Sequence, residues 1–222
     1  ITLAWRLFFR PRLELDLGMQ RTMISESFPL MLNHLLATLF FKIDIPMIRT
    51  IRGDVEVGRY GAAYKFVDAF NIIPAFFTFA IFPIMSQQAS VDRRALARTY
   101  HLTIKLLVGT ALPLAVMSTF LAAPLVRMLG GDEFLPEGAL ALQLMVWSIP
   151  FGWINSVTNY LLVALGQQRA LTRAFLIAVT FNIVINALFI PIYGFRAAAI
   201  STILSEIVAG AAFQWYVYRR LQ

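Results

Sequence analysis

Six long apolar runs dominate this sequence, read at residues 24–48, 66–86, 102–126, 139–165, 174–193 and 197–218. Each reaches or approaches the ~20 residues that a helix needs to cross the hydrocarbon core of a bilayer. The chain of 222 residues is 59% hydrophobic and only 14% charged, with a mean hydropathy of +0.71. Soluble domains sit nearer 45–50% apolar and about 25% charged. The expected fold class is therefore all-α, a polytopic membrane protein, and a water-soluble α/β or all-α domain is excluded.

A net charge of +7 and a pI near 10.1 would suggest nucleic acid in a soluble protein. In a membrane protein the simpler source is topology, because Arg and Lys collect on cytoplasmic loops. Following the runs in order, one face receives Arg6, Arg10, Arg12, Arg21, Arg93, Arg94, Arg98, Arg169, Arg173, Arg219 and Arg220. The other receives Arg49, Arg52, Arg59, Arg127 and Arg196, diluted by Asp54, Glu56, Asp132, Glu133 and Glu137. The bias places both ends of the segment in the cytosol, as six crossings require, and nucleic-acid binding is not needed to explain the charge. Without cysteines there are no disulfides, redox motifs or thiolate metal sites. His34 and His101 stand apart, so no metal cluster is expected.

The opening "ITLAWRLFF" is too short to span and reads as the tail of an earlier helix. Residues 1–21 are thus expected to be the end of a preceding helix and a cytoplasmic linker, and residues 22–222 a six-helix transmembrane lobe whose partner lobe precedes it. Ser25 is placed to cap the first helix, and "RTIRGDVEVG" reads as a short exterior loop. Pro74, Pro83, Pro113, Pro124 and Pro150 fall within later runs, where prolines bend membrane helices. A transport hinge is the sharper reading of the same prolines. Ser148, Gly152, Asn155 and Asn159 share one helix face, and Asn182 and Asn186 another. Interhelical packing is the favoured role for both sets, ahead of ligand binding.

Charge inside the hydrocarbon costs about 2.5–3.5 kcal/mol on insertion scales. Lys42 and Asp44 lie two apart and point to opposite sides of a helix, whereas Lys42 and Arg49 share a face. Lys65 and Asp68, three apart, are spaced to pair within one turn. Glu206 lies midway along the last run with Thr202 one turn before it, and a hydroxyl on a neighbouring helix is one way to satisfy it. Lys42 and Arg49 could simply extend towards the headgroups. Yet Arg49, Arg52, Arg59 and Lys65 crowd the exterior end, where positive charge is normally sparse. Such a cluster facing a cavity would attract an anion such as a diphosphate. Lys42, Arg49 and Lys65 are accordingly expected to line a polar path, with Asp44 and Asp68 as counter-charges. No phosphate-cradling glycine loop, Ser/His/Asp set or paired intramembrane carboxylates point to an enzyme, and "GDEF" at 131–134 reads as a loop ahead of a helix.

The stretch "IDIPMIRTIRGDVEVGRYGAAYKFVDAFNIIPAFFTFAIFPIMSQ" (43–87) resembles the polysaccharide-transporter branch, which includes O-antigen flippases, of the multidrug/oligosaccharidyl-lipid/polysaccharide (MOP) exporter superfamily. The resemblance rests on Asp44, on Val57-Gly58-Arg59-Tyr60, on Ala62-Ala63-Tyr64-Lys65, and on Pro83 followed by Ser86. "FNIVINALFIPIYGFRAAAISTILSE" (181–206) and "LLVALGQQR" (161–169) continue it, so that it covers roughly residues 20–218.

The resemblance implies the second lobe of a MATE-like two-lobe transporter with no cofactor. Such proteins move polyprenyl-diphosphate-linked oligosaccharide across the cytoplasmic membrane of bacteria or archaea by alternating access, driven by ion gradients. Lys42, Arg49, Arg52, Arg59 and Lys65 would meet the diphosphate or acidic sugars. Asp44, Asp68 and Glu206 would serve ion coupling or counter-charge. Drug-exporting relatives usually carry a cation-site carboxylate in lobe helices one and four, and the fourth run here has none. The rival readings are a multidrug/cation antiporter, a peptidoglycan-precursor flippase, and a membrane scaffold that transports nothing.

Overall fold

The computed structural model describes residues 16–221, and among them there are helices and no strands. The reading of residues 1–15 falls outside the described part of the chain. In chain order the α-helices are α1 (Leu17–Lys42), α2 (Asp44–Arg52), α3 (Asp54–Phe70), α4 (Ile72–Val91), α5 (Arg93–Phe120), α6 (Ala122–Gly130), α7 (Glu137–Met145), α8 (Ile149–Ala164), α9 (Gln168–Tyr193) and α10 (Phe195–Leu221). Short 3₁₀ turns at Asp132–Phe134 and Val146–Ser148 precede α7 and α8.

Prolines set several of the interruptions. A proline has no N–H for the carbonyl four residues back, and its ring crowds that carbonyl. Pro46, Pro74 and Pro124 each stand three residues beyond a break, at Ile43, Asn71 and Leu121, and Pro150 follows the turn at Val146–Ser148. The hydropathy runs survive these breaks as spans. Asp54–Val91, Arg93–Phe120, Glu137–Ala164, Gln168–Tyr193 and Phe195–Arg219 are each long and apolar enough to cross a membrane. Met31–Lys42 and Asp44–Arg52 supply a sixth span if taken together, bent by 43° at Ile43. Pro83, Pro113 and Pro191 lie inside continuous helices.

Caps fix the polar ends. Asp16 accepts from the backbone N–H groups of Gly18 (2.8 Å) and Met19 (3.1 Å) and starts α1. Ser25 therefore does not cap the first helix. It lies two turns inside α1 and donates to the Thr22 carbonyl, because the polar stretch ahead of it is itself helical. Asp92 starts α5 in the same way, and the N–H groups of Ala95 and Arg94 hold its carboxyl below the usual range. Only Gly53, at φ 89°, separates α2 from α3, so the expected exterior loop is a tight helix-to-helix corner.

The α9–α10 pair is the spine of the bundle, and α1 and α2 lean on α9. Lipid is as apolar as leucine, so helices associate through close packing and interhelical hydrogen bonds. Small residues allow that approach: Ala174 and Ala178 on α9 and Ala198, Ala199 and Ala209 on α10 are buried. The α8 helix lies between α10, α5 and α4 with Trp153 fully enclosed.

One corner binds distant parts of the chain. Glu56 on α3 accepts from the backbone N–H of Phe195 at 2.9 Å, capping α10 from outside. Gly194 makes the turn at φ 59°, and a Cβ there would run into the Glu56 carboxylate. Gly194→Ala should therefore cost about 1–3 kcal/mol, read as a lower thermal unfolding midpoint in detergent. An unchanged midpoint would show that this corner is not under strain.

Candidate functional site

The first polar cluster centres on Asp44, the residue that opens α2 just past the bend. Its carboxylate is 1% exposed. It accepts from Tyr60 Oη (3.0 Å), Asn186 Nδ2 (2.7 Å) and Thr202 Oγ1 (2.8 Å). Behind it, Asn186 also donates to Asn182 Oδ1 (3.0 Å), Asn182 donates to Ser205 Oγ (3.1 Å), and Ser201 donates to Asn186 Oδ1. All of these donors are neutral. A hydrogen bond to a charged group contributes about 1.5–3 kcal/mol, so three are of the same order as the several kcal/mol that burying one ion costs.

The second cluster lines a cavity of about 300 Å³ among α1, α3, α4, α8 and α10. Lys42, Asp68, Asn71, Ser148, Ser156 and Glu206 supply its polar lining. Lys42 Nζ donates to both oxygens of Asp68, at 2.8 and 3.1 Å, and stands 4.3 Å from the centre of the Tyr64 ring. This ion pair is half-exposed, 48% and 53% on the two side chains. Glu206, by contrast, is 4% exposed. Its Oε2 accepts from Asn155 Nδ2 at 2.6 Å, and the same amide reaches the Glu206 carbonyl at 2.7 Å. Gly152 leaves room for the other oxygen, since an added Cβ would stand 3.1 Å from Oε1. Trp153 Nε1 donates to Asn71 Oδ1 at 3.0 Å and fixes the α3–α4 break against α8.

These positions differ from several expectations. Lys65 and Asp68 do not pair: Asp68 turns to Lys42 on the neighbouring helix, and Lys65 has no ion-pair partner among the described residues. The exterior cations are not a free cluster either. Arg49 pairs with Asp54 (2.8 Å), Arg52 with Glu56 (3.5 Å), and Arg59 with Glu137 (3.9 Å). Of Lys42, Arg49 and Lys65, only Lys42 lines the cavity. Lys65 faces a separate groove of about 420 Å³ shared with Glu133 and Phe134. Asp44 is held by neutral donors and not by a cation. Thr202 serves Asp44, and an amide, not a hydroxyl, satisfies Glu206. Ser201, Ser205, Asn71 and Ser156 belong to the two clusters without having been singled out, and Tyr60, quoted only within the Val57-Gly58-Arg59-Tyr60 segment, is a partner of Asp44. Among the described residues no group of three His, Asp or Glu side chains gathers as a metal site.

The MatE family profile matches residues 29–188, well over half of the sequence. The chain belongs to the MatE family. Its family and fold are those of membrane transporters, not of enzymes. A probable multidrug resistance protein, YpnP of Bacillus subtilis (strain 168), is 28% identical over 203 residues, covering 90% of this chain and 46% of that protein. The uncharacterized membrane protein MJ1068 of Methanocaldococcus jannaschii is 26% identical over 110 residues, 50% of this chain and 22% of that one. The fold matches an outward-facing multidrug resistance MATE family transporter of the MOP superfamily, with TM-score 0.74, 18% identity, and coverage of 86% of this chain and 43% of that structure. It matches equally the lipid II flippase MurJ in an inward closed conformation, with TM-score 0.75, 16% identity, and coverage of 98% and 47%. The chain spans less than half the length of these relatives.

Asn155 is the one donor side chain bonded to the Glu206 carboxylate among the described residues. Asn155→Leu should lower stability by about 1–3 kcal/mol, the cost of stranding a buried polar group. Adding Glu206→Gln should restore part of that loss, because the remaining group is neutral. Thermal unfolding of the four-member set in detergent reads the coupling, and strictly additive losses would show that the two side chains do not depend on each other.

Proposed function

We propose that this chain forms one lobe of an ion-coupled flippase that carries a polyprenyl-diphosphate-linked oligosaccharide across the cytoplasmic membrane of a bacterium or archaeon. The observation that carries the reading is Lys42, a cation midway along the bent first span, open to a cavity whose neutral polar lining is Asn71, Ser148 and Ser156. A half-exposed ion pair contributes only about 0–1 kcal/mol. An entering diphosphate therefore displaces Asp68 from Lys42 at little cost, while amide and hydroxyl groups meet sugar hydroxyls. Lys65, Arg49, Arg52 and Arg59 are further cationic stations towards the exterior end. Asp44 is the coupling carboxylate: it joins the bent first span to α3, α9 and α10, so a proton or monovalent cation arriving there changes the bonds that hold the bend. The lobe that precedes it supplies the other wall of the path, as alternating access requires. Both ends of the segment face the cytosol in this reading, in line with the arginine bias. The resemblance of residues 43–87 to polysaccharide transporters and the fold shared with a lipid II flippase support it.

A second reading, export of organic cations, is favoured by Glu206. Lys42 and Asp68 cancel, which leaves a carboxylate with no cationic partner on the cavity wall. The similarity to a probable multidrug resistance protein points the same way.

The two readings separate in the full-length protein, in a host that depends on it for surface polysaccharide. At matched membrane abundance, Lys42→Ala should lower surface polymer roughly tenfold, the loss of one charge-assisted contact, and lipid-linked precursor should accumulate on the inner leaflet. Lys65→Ala should give a smaller change of the same sign. If polymer and precursor stay normal while Glu206→Gln abolishes efflux of an organic cation, the second reading stands and the flippase reading falls. Asp44→Asn should remove gradient-driven transport under either reading, measured as loss of ion-dependent uptake in vesicles.

A further inference from the structure

Arg196 stands apart from the other exterior arginines. It is exposed in the first turn of α10 and has no ion pair among the described residues; its guanidinium stands 5.9 Å from the centre of the Phe195 ring. Arg49, Arg52 and Arg59 all have carboxylate partners nearby. The first turn of a helix carries positive partial charge, which an arginine there does not offset; at α10 the Glu56 carboxylate on the Phe195 N–H meets it instead. Arg52 pairs with Glu56 and also reaches the Ile192 carbonyl at 3.5 Å, which leaves Arg196 as the exterior arginine without a carboxylate partner among the described residues.

Below Arg196 runs an apolar groove of about 400 Å³ on an exposed side of the α9–α10 pair. Ile185, Phe189, Ile200 and Leu204 form its walls, and Tyr193 stands at the arginine end. Phe189 and Tyr193 stack with ring centres 6.4 Å apart. Aromatic residues of this kind collect where headgroups meet hydrocarbon. From Ile185 to Tyr193 a helix rises about 12 Å, close to the roughly 15 Å that one leaflet contributes to the hydrocarbon core. The groove thus matches one lipid chain in length and ends at one unneutralised cation.

We propose that this groove holds an anionic phospholipid of the surrounding bilayer, with an acyl chain along Phe189, Ile200 and Leu204 and its headgroup phosphate on Arg196. Charge complementarity selects the occupant, because an apolar groove alone would take any chain and the arginine prefers a headgroup of net negative charge. The site also has a route to the interior. Ser201 lines the groove and donates to Asn186, which donates to Asp44. A lipid seated there packs against the back of the helix pair that carries the Asp44 network and steadies it.

The test uses the full-length protein, delipidated in detergent, with phosphatidylglycerol, phosphatidylcholine or inorganic phosphate added, and reads thermal unfolding midpoints and apparent lipid affinity. Phosphatidylglycerol should stabilise more than phosphatidylcholine, and inorganic phosphate should do nothing. Arg196→Gln should weaken phosphatidylglycerol roughly tenfold, as expected for one charge-assisted contact, and leave phosphatidylcholine unchanged. Leu204→Trp, which fills the groove, should reduce the response to both lipids; binding of each lipid by native mass spectrometry reads this directly even if the lipid-free midpoint moves. Equal stabilisation by the two lipids, an undiminished preference in Arg196→Gln, or a full response to inorganic phosphate would each overturn the proposal. This inference does not depend on what the transporter carries.

Discussion

One buried carboxylate ties the architecture together. Asp44 stands where the first span bends, and its bonds run to α3 through Tyr60, to α9 through Asn186 and to α10 through Thr202. In lipid there is little hydrophobic force to bring these helices together, so polar bonds of this kind and small-residue packing carry the association. The cost of burying the charge is met only when all four elements are in place. That makes the bend in the first span and the seating of the α9–α10 pair parts of one arrangement. Anything that changes the charge at Asp44 acts on all of them together.

The prolines explain why the polar residues can be where they are. Pro46 frees the helix at Ile43, next to Lys42 and Asp44; Pro74 frees it at Asn71, next to Asp68; Pro150 follows the turn that carries Ser148. At each break the backbone gives up regular bonds, and irregular backbone at membrane depth is tolerated only against protein or a water-lined space. The cavity meets that condition, because its wall includes residues beside these three interruptions. Helix shaping and cavity building are therefore the same event, and the choice between a bend and a functional hinge, open on the sequence alone, is not an exclusive one.

The spans were legible in the sequence because length and apolarity are local properties that the bilayer reads directly. Asp44 and Glu206 were legible as anomalies for the same reason: a carboxylate among apolar neighbours needs a cause. The partnerships were not legible. Helical spacing allows Lys65 to reach Asp68, but tertiary packing brings Lys42 on another helix nearer, and no local rule ranks the two. The exterior arginines looked like a free cationic cluster because Asp54, Glu56 and Glu137 were counted as loop acids, whereas the tight corner at Gly53 and the packing of α7 on α3 bring them within reach. Asn182 and Asn186 announced a shared face through their spacing of four. That this face would meet Asp44 depended on the chain crossing from α2 to α9, which spacing within one helix cannot express.

The charge balance of the cavity separates it from the Asp44 cluster and gives each a distinct part. Around Asp44 every partner is a neutral donor, so the site holds its carboxylate without a counter-charge. Around Lys42 the charge is already matched by Asp68 in a half-exposed pair, and Glu206 adds a buried carboxyl group bonded by a single amide. A ligand entering the cavity therefore meets a cation that can be released and a carboxylate that can be compensated. In the two proposed readings a diphosphate would use the first and a positively charged solute the second. Thr202 and Glu206 lie one turn apart on α10, one serving each cluster, so a shift of that helix moves both at once. In the proposed function this shared helix, like the Lys42–Asp44 bend, would be a route by which an ion at Asp44 and a solute in the cavity influence each other.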